Sequence, residues 1–385
     1  MRWTAAVLAP VAAAALAGAV VQAHGATPSP AAQVFSDAGC VLCHGVPAAL
    51  PEVAAASRQD SCTGCHIWIR EVAADPPRRD KARAIFPLWD RYERNVASYM
   101  SVPSLDAALA RLEPAWVDAY LRDPHDLRPN LPETMPRFHL DDAQMQALTA
   151  LFSPVAVPEA PRPRRRNVAA GQALFTERGC AACHTFGANA VGALPMAPDL
   201  AYARERLSAD MAVAWIDDPR AVSPAATMPD LGVTREEAVL IRDYLWLSDT
   251  GATLPPPATD APTALNQPVA WAEVEEQVFG KICVHCHMNP ELNNGRRGPG
   301  NAGGFGWPET GIELQTPEGV AAAADRIPDA LLRRRHEARR DAVSPGQRAA
   351  EIERPARPGM PLGLPPIPDE DIALVLAWIE QGMPR

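Results

Sequence analysis

The sequence predicts an all-α chain of three helical domains joined by Pro-rich linkers. Three observations carry this. Proline supplies 41 of 385 residues, about twice ordinary usage, which disfavours long strands and keeps helices short. Apolar residues recur at helical spacing in short stretches, as at Ile372, Val375, Leu376 and Ile379. One order of parts occurs three times: an apolar turn, a cysteine pair with a trailing His, a Met-Pro pair and an amphipathic helix. A hydrophobic fraction of 47% is enough to build packed cores. A net charge of −10 argues against a nucleic-acid binder, which shows a basic footprint.

Residues 1–23 read as a secretory signal peptide. Arg2 forms a short positive region, an Ala/Val-rich run follows, and Val21-Gln22-Ala23 offers a cleavage site. No later apolar run reaches the ~18 residues of a membrane span, so no transmembrane segment is expected after cleavage. The expected location is the periplasm or beyond. Two Pro-rich stretches, 153–163 and 254–268, then divide the chain into segments 24–152, 166–250 and 268–385.

Each segment opens on an apolar helical turn: Val34-Phe35, Leu174-Phe175 and Val278-Phe279. Each closes on an amphipathic helix: Asp142 to Phe152, Arg235 to Leu247 and Asp369 to Ile379. Thr234 and Glu237 have the spacing of a capping box. Segments one and two share a finer echo. Tyr120-Leu121-Arg122-Asp123-Pro124 leads to Met135-Pro136, and Trp215-Ile216-Asp217-Asp218-Pro219 leads to Met228-Pro229. Segment three carries Met360-Pro361 after an insertion, 289–345, that is Gly-rich over 298–306. The insertion then turns basic at Arg333-Arg334-Arg335 and Arg339-Arg340. Such a run is expected to form a solvated helix face rather than a docking surface.

The eight cysteines form four pairs with none left over: Cys40/Cys43, Cys62/Cys65, Cys180/Cys183 and Cys283/Cys286. A His follows each pair, namely His44, His66, His184 and His287. C-x-x-C-H is the attachment signature of c-type haem. Two thiols three residues apart reach the two vinyl groups of one haem, and the adjacent His meets the iron as proximal ligand. Zinc is the rival for the first two pairs, because Cys43 and Cys62 enclose eighteen residues, a spacing zinc sites also use. The other two pairs have no such partner. The expected cofactor is therefore haem c, four copies covalently bound through their iron-bearing macrocycles.

With these motifs, each segment resembles a class I cytochrome c domain, and the whole resembles a multihaem c-type cytochrome. The resemblance covers most of 30–152, 168–250 and 270–385. It implies that the Met of each Met-Pro pair is the distal iron ligand: Met228 opposite His184, and Met360 opposite His287. It also implies that the first and last helices of each domain cross near the haem edge. Segment one departs from the pattern with two haem motifs and one Met-Pro pair. The Cys40 motif has the preceding helix, so Met135 is assigned to His44. The Cys62 motif then lacks an obvious sixth ligand, and His125, His139, Met100 and His24 are the candidates. Crossed pairing of Met135 with His66 stays open.

The expected function is electron relay by an exported tetrahaem cytochrome c, not catalysis. Its expected partners are periplasmic or membrane-bound redox proteins. Two alternatives use the same motifs. One haem with an open position, that of Cys62, would make the chain an enzyme reducing peroxide or another small oxidant. A larger dehydrogenase or oxidase complex would make it a cytochrome subunit.

Overall fold

The structure is a computed structural model. It describes residues 27–57, 61–86, 89, 90, 93, 96, 102–125, 127, 128, 131, 135–138, 140–186, 194, 196–250, 262–289, 310–341 and 357–385. The leader 1–23, His24, Met100, His139 and the Gly-rich stretch 298–306 lie outside these residues. Among the described residues all regular secondary structure is helical. None of their helices is long and apolar enough to cross a membrane.

Helix α1, Pro30–Asp37, starts with Pro at its first turn, and the Ser29 hydroxyl accepts from the Ala32 amide at 3.2 Å. It stops before Gly39, whose φ of 70° a β-carbon disfavours, and the chain turns into a 3-10 segment, Cys40–Leu42. Helix α2, Cys62–Ala73, is capped by Ser61 and followed by α3, Pro76–Ile85. Helix α4 spans Pro114–Arg122 and α5 spans Asp142–Thr149. Phe35, Leu50 and Leu148 pack together, so the first and last helices of this segment meet.

The second segment repeats the opening. Helix α6, Val168–Glu177, ends before Gly179 at φ 73°, and a 3-10 turn Cys180–Ala182 follows. Helix α7 spans Ala209–Asp217, and α8 spans Arg235–Leu247 behind the Thr234/Glu237 capping box. Phe175, Val213, Ile241 and Tyr244 form the core. Helices α6 and α8 cross at Gly171. A β-carbon there would stand 2.0 Å from the Leu240 carbonyl oxygen and 2.8 Å from the Tyr244 Cβ. The glycine therefore sets how closely these helices approach.

The third segment enters through Trp271–Val274 and a π-helical turn Glu275–Phe279, then reaches a 3-10 turn Cys283–His285. Helix α9, Ile327–Asp341, belongs to the insertion, and α10, Asp369–Glu380, closes the segment. Phe279, Val320, Leu331, Ile372 and Trp378 share one core.

The basic run does not form a solvated face throughout. Arg334 is 2% exposed and donates to the Leu364 carbonyl. Glu337, also 2% exposed, accepts from the Gly359 amide at 2.9 Å and faces Arg137 of the first segment at 3.4 Å. Arg335 reaches Asp369 at 2.8 Å. Arg334 and Glu337 are satisfied by each other and by the loop beside Met360 rather than by water. The linker 153–163 is likewise pinned. Val155 donates to the Ala110 carbonyl at 2.8 Å, and the Ala160 amide donates to Asp210 at 2.8 Å.

Candidate haem sites

Three of the four motif histidines are held in the same way. The Nδ1–H of His44 donates to the Pro103 carbonyl at 3.3 Å, that of His184 to Pro198 at 2.8 Å and that of His287 to Ile312 at 3.2 Å. A ring nitrogen that donates to a carbonyl must carry the hydrogen, which leaves Nε2 with its lone pair for a metal. Burial holds all three imidazoles below the ordinary histidine range, against the opposing pull of those carbonyls. A neutral, oriented imidazole is the donor that haem iron needs, so these residues fit the group.

The cysteines fit it as well. All eight are free thiols. Burial pushes Cys40 up to about 11 and Cys65 and Cys283 up to about 12. Among the described residues no three His, Cys, Asp or Glu side chains gather as a metal site. Cys40, Cys43, Cys62 and Cys65 therefore do not assemble in the way that the zinc alternative requires.

The first site is a cavity between segments one and two. Cys40, Cys43, His44 and Met135 all line it, with Phe35, Leu112 and other apolar side chains as walls. Three arginines, Arg111, Arg128 and Arg206, complete its lining. Arg206 comes from the second segment, and its backbone carbonyl accepts from the Glu113 amide at 3.0 Å.

The Cys62 motif differs from the other three. It occupies the first turn of a regular helix, and the Ser61 hydroxyl accepts from the Gly64 amide at 3.0 Å. The Thr63 hydroxyl donates to the Cys43 carbonyl at 3.2 Å. The Cys43 and Cys62 thiols are electrostatic neighbours, and Cys286 lies within range of Cys43. The Cys62 thiol, followed by burial, drives Cys43 far above the usual thiol value. Cys65 and Ile69 of α2 pack with Val284 and Met288 beside the fourth motif. Three motifs thus share one junction.

The remaining candidate ligands fall in different places. His125 is buried between Tyr120 and Tyr202, with ring centroids 5.3 and 5.2 Å away, and its Nδ1 lies 3.3 Å from the Asp123 carbonyl. These neighbours belong to the boundary between segments one and two, not to the cluster around Cys65. Met228 is half-buried in the loop before α8. Met360 is half-buried, and its amide donates to the Ala330 carbonyl at 2.9 Å, so α9 holds its loop. Sequence reasoning missed the carbonyl partners Pro103, Pro198 and Ile312 and the three arginines. The only trace of them is a Pro downstream of two motifs and scattered basic residues.

Residues 168–248 match the family model for cytochrome c. No curated protein and no solved structure gives a match to the chain. The matched residues run from the first residue of α6 past the last of α8 and enclose Cys180, Cys183, His184 and Met228. The chain therefore carries a cytochrome c domain at residues 168–248, and with it the implication of covalently bound haem c, its iron, and electron transfer to redox proteins.

Proposed function

We propose that the chain is an exported, periplasmic tetrahaem c-type cytochrome that relays electrons one at a time between redox proteins. Haem c, when bound, supplies a one-electron iron couple. The chain's own work is to hold, space and tune the irons. The observation that carries the reading is the meeting of three motifs: the Thr63 hydroxyl donates to the Cys43 carbonyl at 3.2 Å, and Cys65 packs with Val284 and Met288. Each motif thiol ends at the rim of its own macrocycle, so macrocycles attached there have neighbouring edges. Neighbouring edges suit a wire more than isolated catalytic centres.

In this reading 24–152 binds two haems, and 166–250 and 268–385 bind one each. His44, His66, His184 and His287 are the proximal ligands. Met135 serves the His44 haem, because both residues line one cavity. Met228 and Met360 serve the His184 and His287 haems. Sulfur ligation of this kind raises the potential and fills the iron's last position, which suits transfer rather than substrate chemistry. The sixth ligand at His66 is drawn from His125, His139, Met100 and His24.

Intact mass under denaturing, reducing conditions tests the proposal. Four haem additions on a chain starting near His24 are expected. Two haems with zinc held by the first four cysteines would end the tetrahaem reading. A high-spin haem that binds cyanide in the resting protein would replace the relay with a peroxide-type enzyme.

A further inference from the structure

The lining of the first cavity is mostly apolar, but three arginines, Arg111, Arg128 and Arg206, share it. Burial is the main force holding all three guanidinium groups below their ordinary value, with Arg206 down to about 9 and Arg111 to about 10. They also oppose one another: the charges of Arg111 and Arg128 act on Arg206, and that of Arg128 acts on Arg111. Among the described residues none of the three is paired with a carboxylate. Arg111 donates to the Ala107 carbonyl and lies over the Trp215 ring at 4.5 Å. Arg128 donates to the Met196 carbonyl at 3.0 Å. Arg206 is 8% exposed and lies 5.3 Å from the Trp116 ring centroid, and its Nε is buried with no hydrogen-bond partner.

Three like charges gathered in a mostly apolar cavity are costly without an anion. The fork of an arginine matches a carboxylate in two parallel hydrogen bonds. A haem attached through Cys40 and Cys43 brings two carboxylates, its propionates, into this cavity. We propose that Arg111, Arg128 and Arg206 are the propionate-binding end of the first haem site, so that the segment carrying the next haem supplies part of that site. This rests on the haem reading of Cys40, Cys43 and His44. Arg206 has a second role in this arrangement. Its charge also acts on His184, the motif histidine of its own segment. One buried cation therefore biases two neighbouring irons towards the reduced state and ties the two segments together.

The test is a redox titration of the holoprotein followed by haem absorbance. The component belonging to the first haem is assigned by its loss in a Cys40→Ser/Cys43→Ser variant. Arg206→Met removes the cation, leaves a buried propionate uncompensated and disfavours the reduced iron. The first haem should become at least about tenfold harder to reduce, about 59 mV for a one-electron couple. Arg206→Lys keeps the charge and should recover most of that shift. Arg204→Met, exposed on the same turn, should move nothing. Should Arg206→Met fail to accumulate, Arg128→Met at the half-buried edge reads the same direction. Unchanged potentials in a variant that retains all its haems overturn the arginine proposal alone. A parent protein with no haem on Cys40 and Cys43 overturns the haem reading of this site, and the arginine proposal with it.

Discussion

Replacing Gly171 by Ala sets two physical effects against each other with opposite signs. Helix propensity favours Ala over Gly in a helix interior by about 1 kcal/mol. On propensity alone the variant is more stable than the parent. The crossing of α6 and α8 says otherwise. The added β-carbon would stand 2.0 Å from the Leu240 carbonyl oxygen, 2.7 Å from its carbon and 2.8 Å from the Tyr244 Cβ. Two of these three atoms are backbone, so no side-chain rotation relieves the clash, and the helices must separate by more than an ångström. Overpacking of this kind costs about 3 kcal/mol, the upper part of its usual range. The net is a loss of about 2 kcal/mol, centred on the domain that carries His184. Denaturant unfolding followed by far-UV ellipticity and by the absorbance of that haem measures it. The phase belonging to this domain should move to lower denaturant while the others hold. A variant as stable as the parent, or more stable, would show that the close approach does not constrain the crossing.

On the proposed ligation, Met135→Ala, Met228→Ala and Met360→Ala should each remove one sulfur ligand, lower the potential of one haem and weaken the long-wavelength absorption of sulfur-ligated ferric iron. A variant with unchanged ligation returns its Met to core filling. Asp243, 0% exposed, pairs with Arg242 at 2.8 Å and accepts from Asn167 at 2.7 Å. Asp243→Ala strands a buried guanidinium and should cost about 3–5 kcal/mol by chemical denaturation. Glu237 is held below the usual carboxylate range by the Thr234 amide and then by Arg178. Its folded value lies under its unfolded one, so its contribution is present above the ordinary value of 4.5 and fades as the pH falls through the lowered one. Glu237→Gln should flatten that acid limb of the stability curve, and an unchanged limb would remove the capping box as its source.

What the sequence made legible was local. Helix positions followed from periodicity over ten or so residues, and the Thr234/Glu237 cap from a spacing of three. Each C-x-x-C-H motif was legible in five adjacent residues. What it concealed was long-range. Pro103 lies 59 residues beyond His44, and Ile312 lies 25 beyond His287, inside the insertion. Arg111, Arg128 and Arg206 come together from two segments. A run of arginines on a helix reads as a solvated face, because nothing nearby in sequence reveals that Glu337 stands beneath Arg334 and the Gly359 amide. The Cys43–Cys62 contact was hidden by its own spacing, which also suits zinc. Only the fold brings Cys286 from the third segment alongside them.

On the tetrahaem reading, the packing of the first, second and fourth motifs also sets an order of assembly. Attachment chemistry needs each thiol accessible to a bulky macrocycle and able to react. In the folded chain the segments bearing these sulfurs pack together, and the Cys62 thiol and burial push the Cys43 thiol up. A chain that collapses early hides its own attachment points. On the tetrahaem reading, loading runs ahead of compaction, with the first and second motifs filled before segment three packs against them. On that reading, the junction that brings macrocycle edges together in the finished protein is, during biogenesis, a deadline.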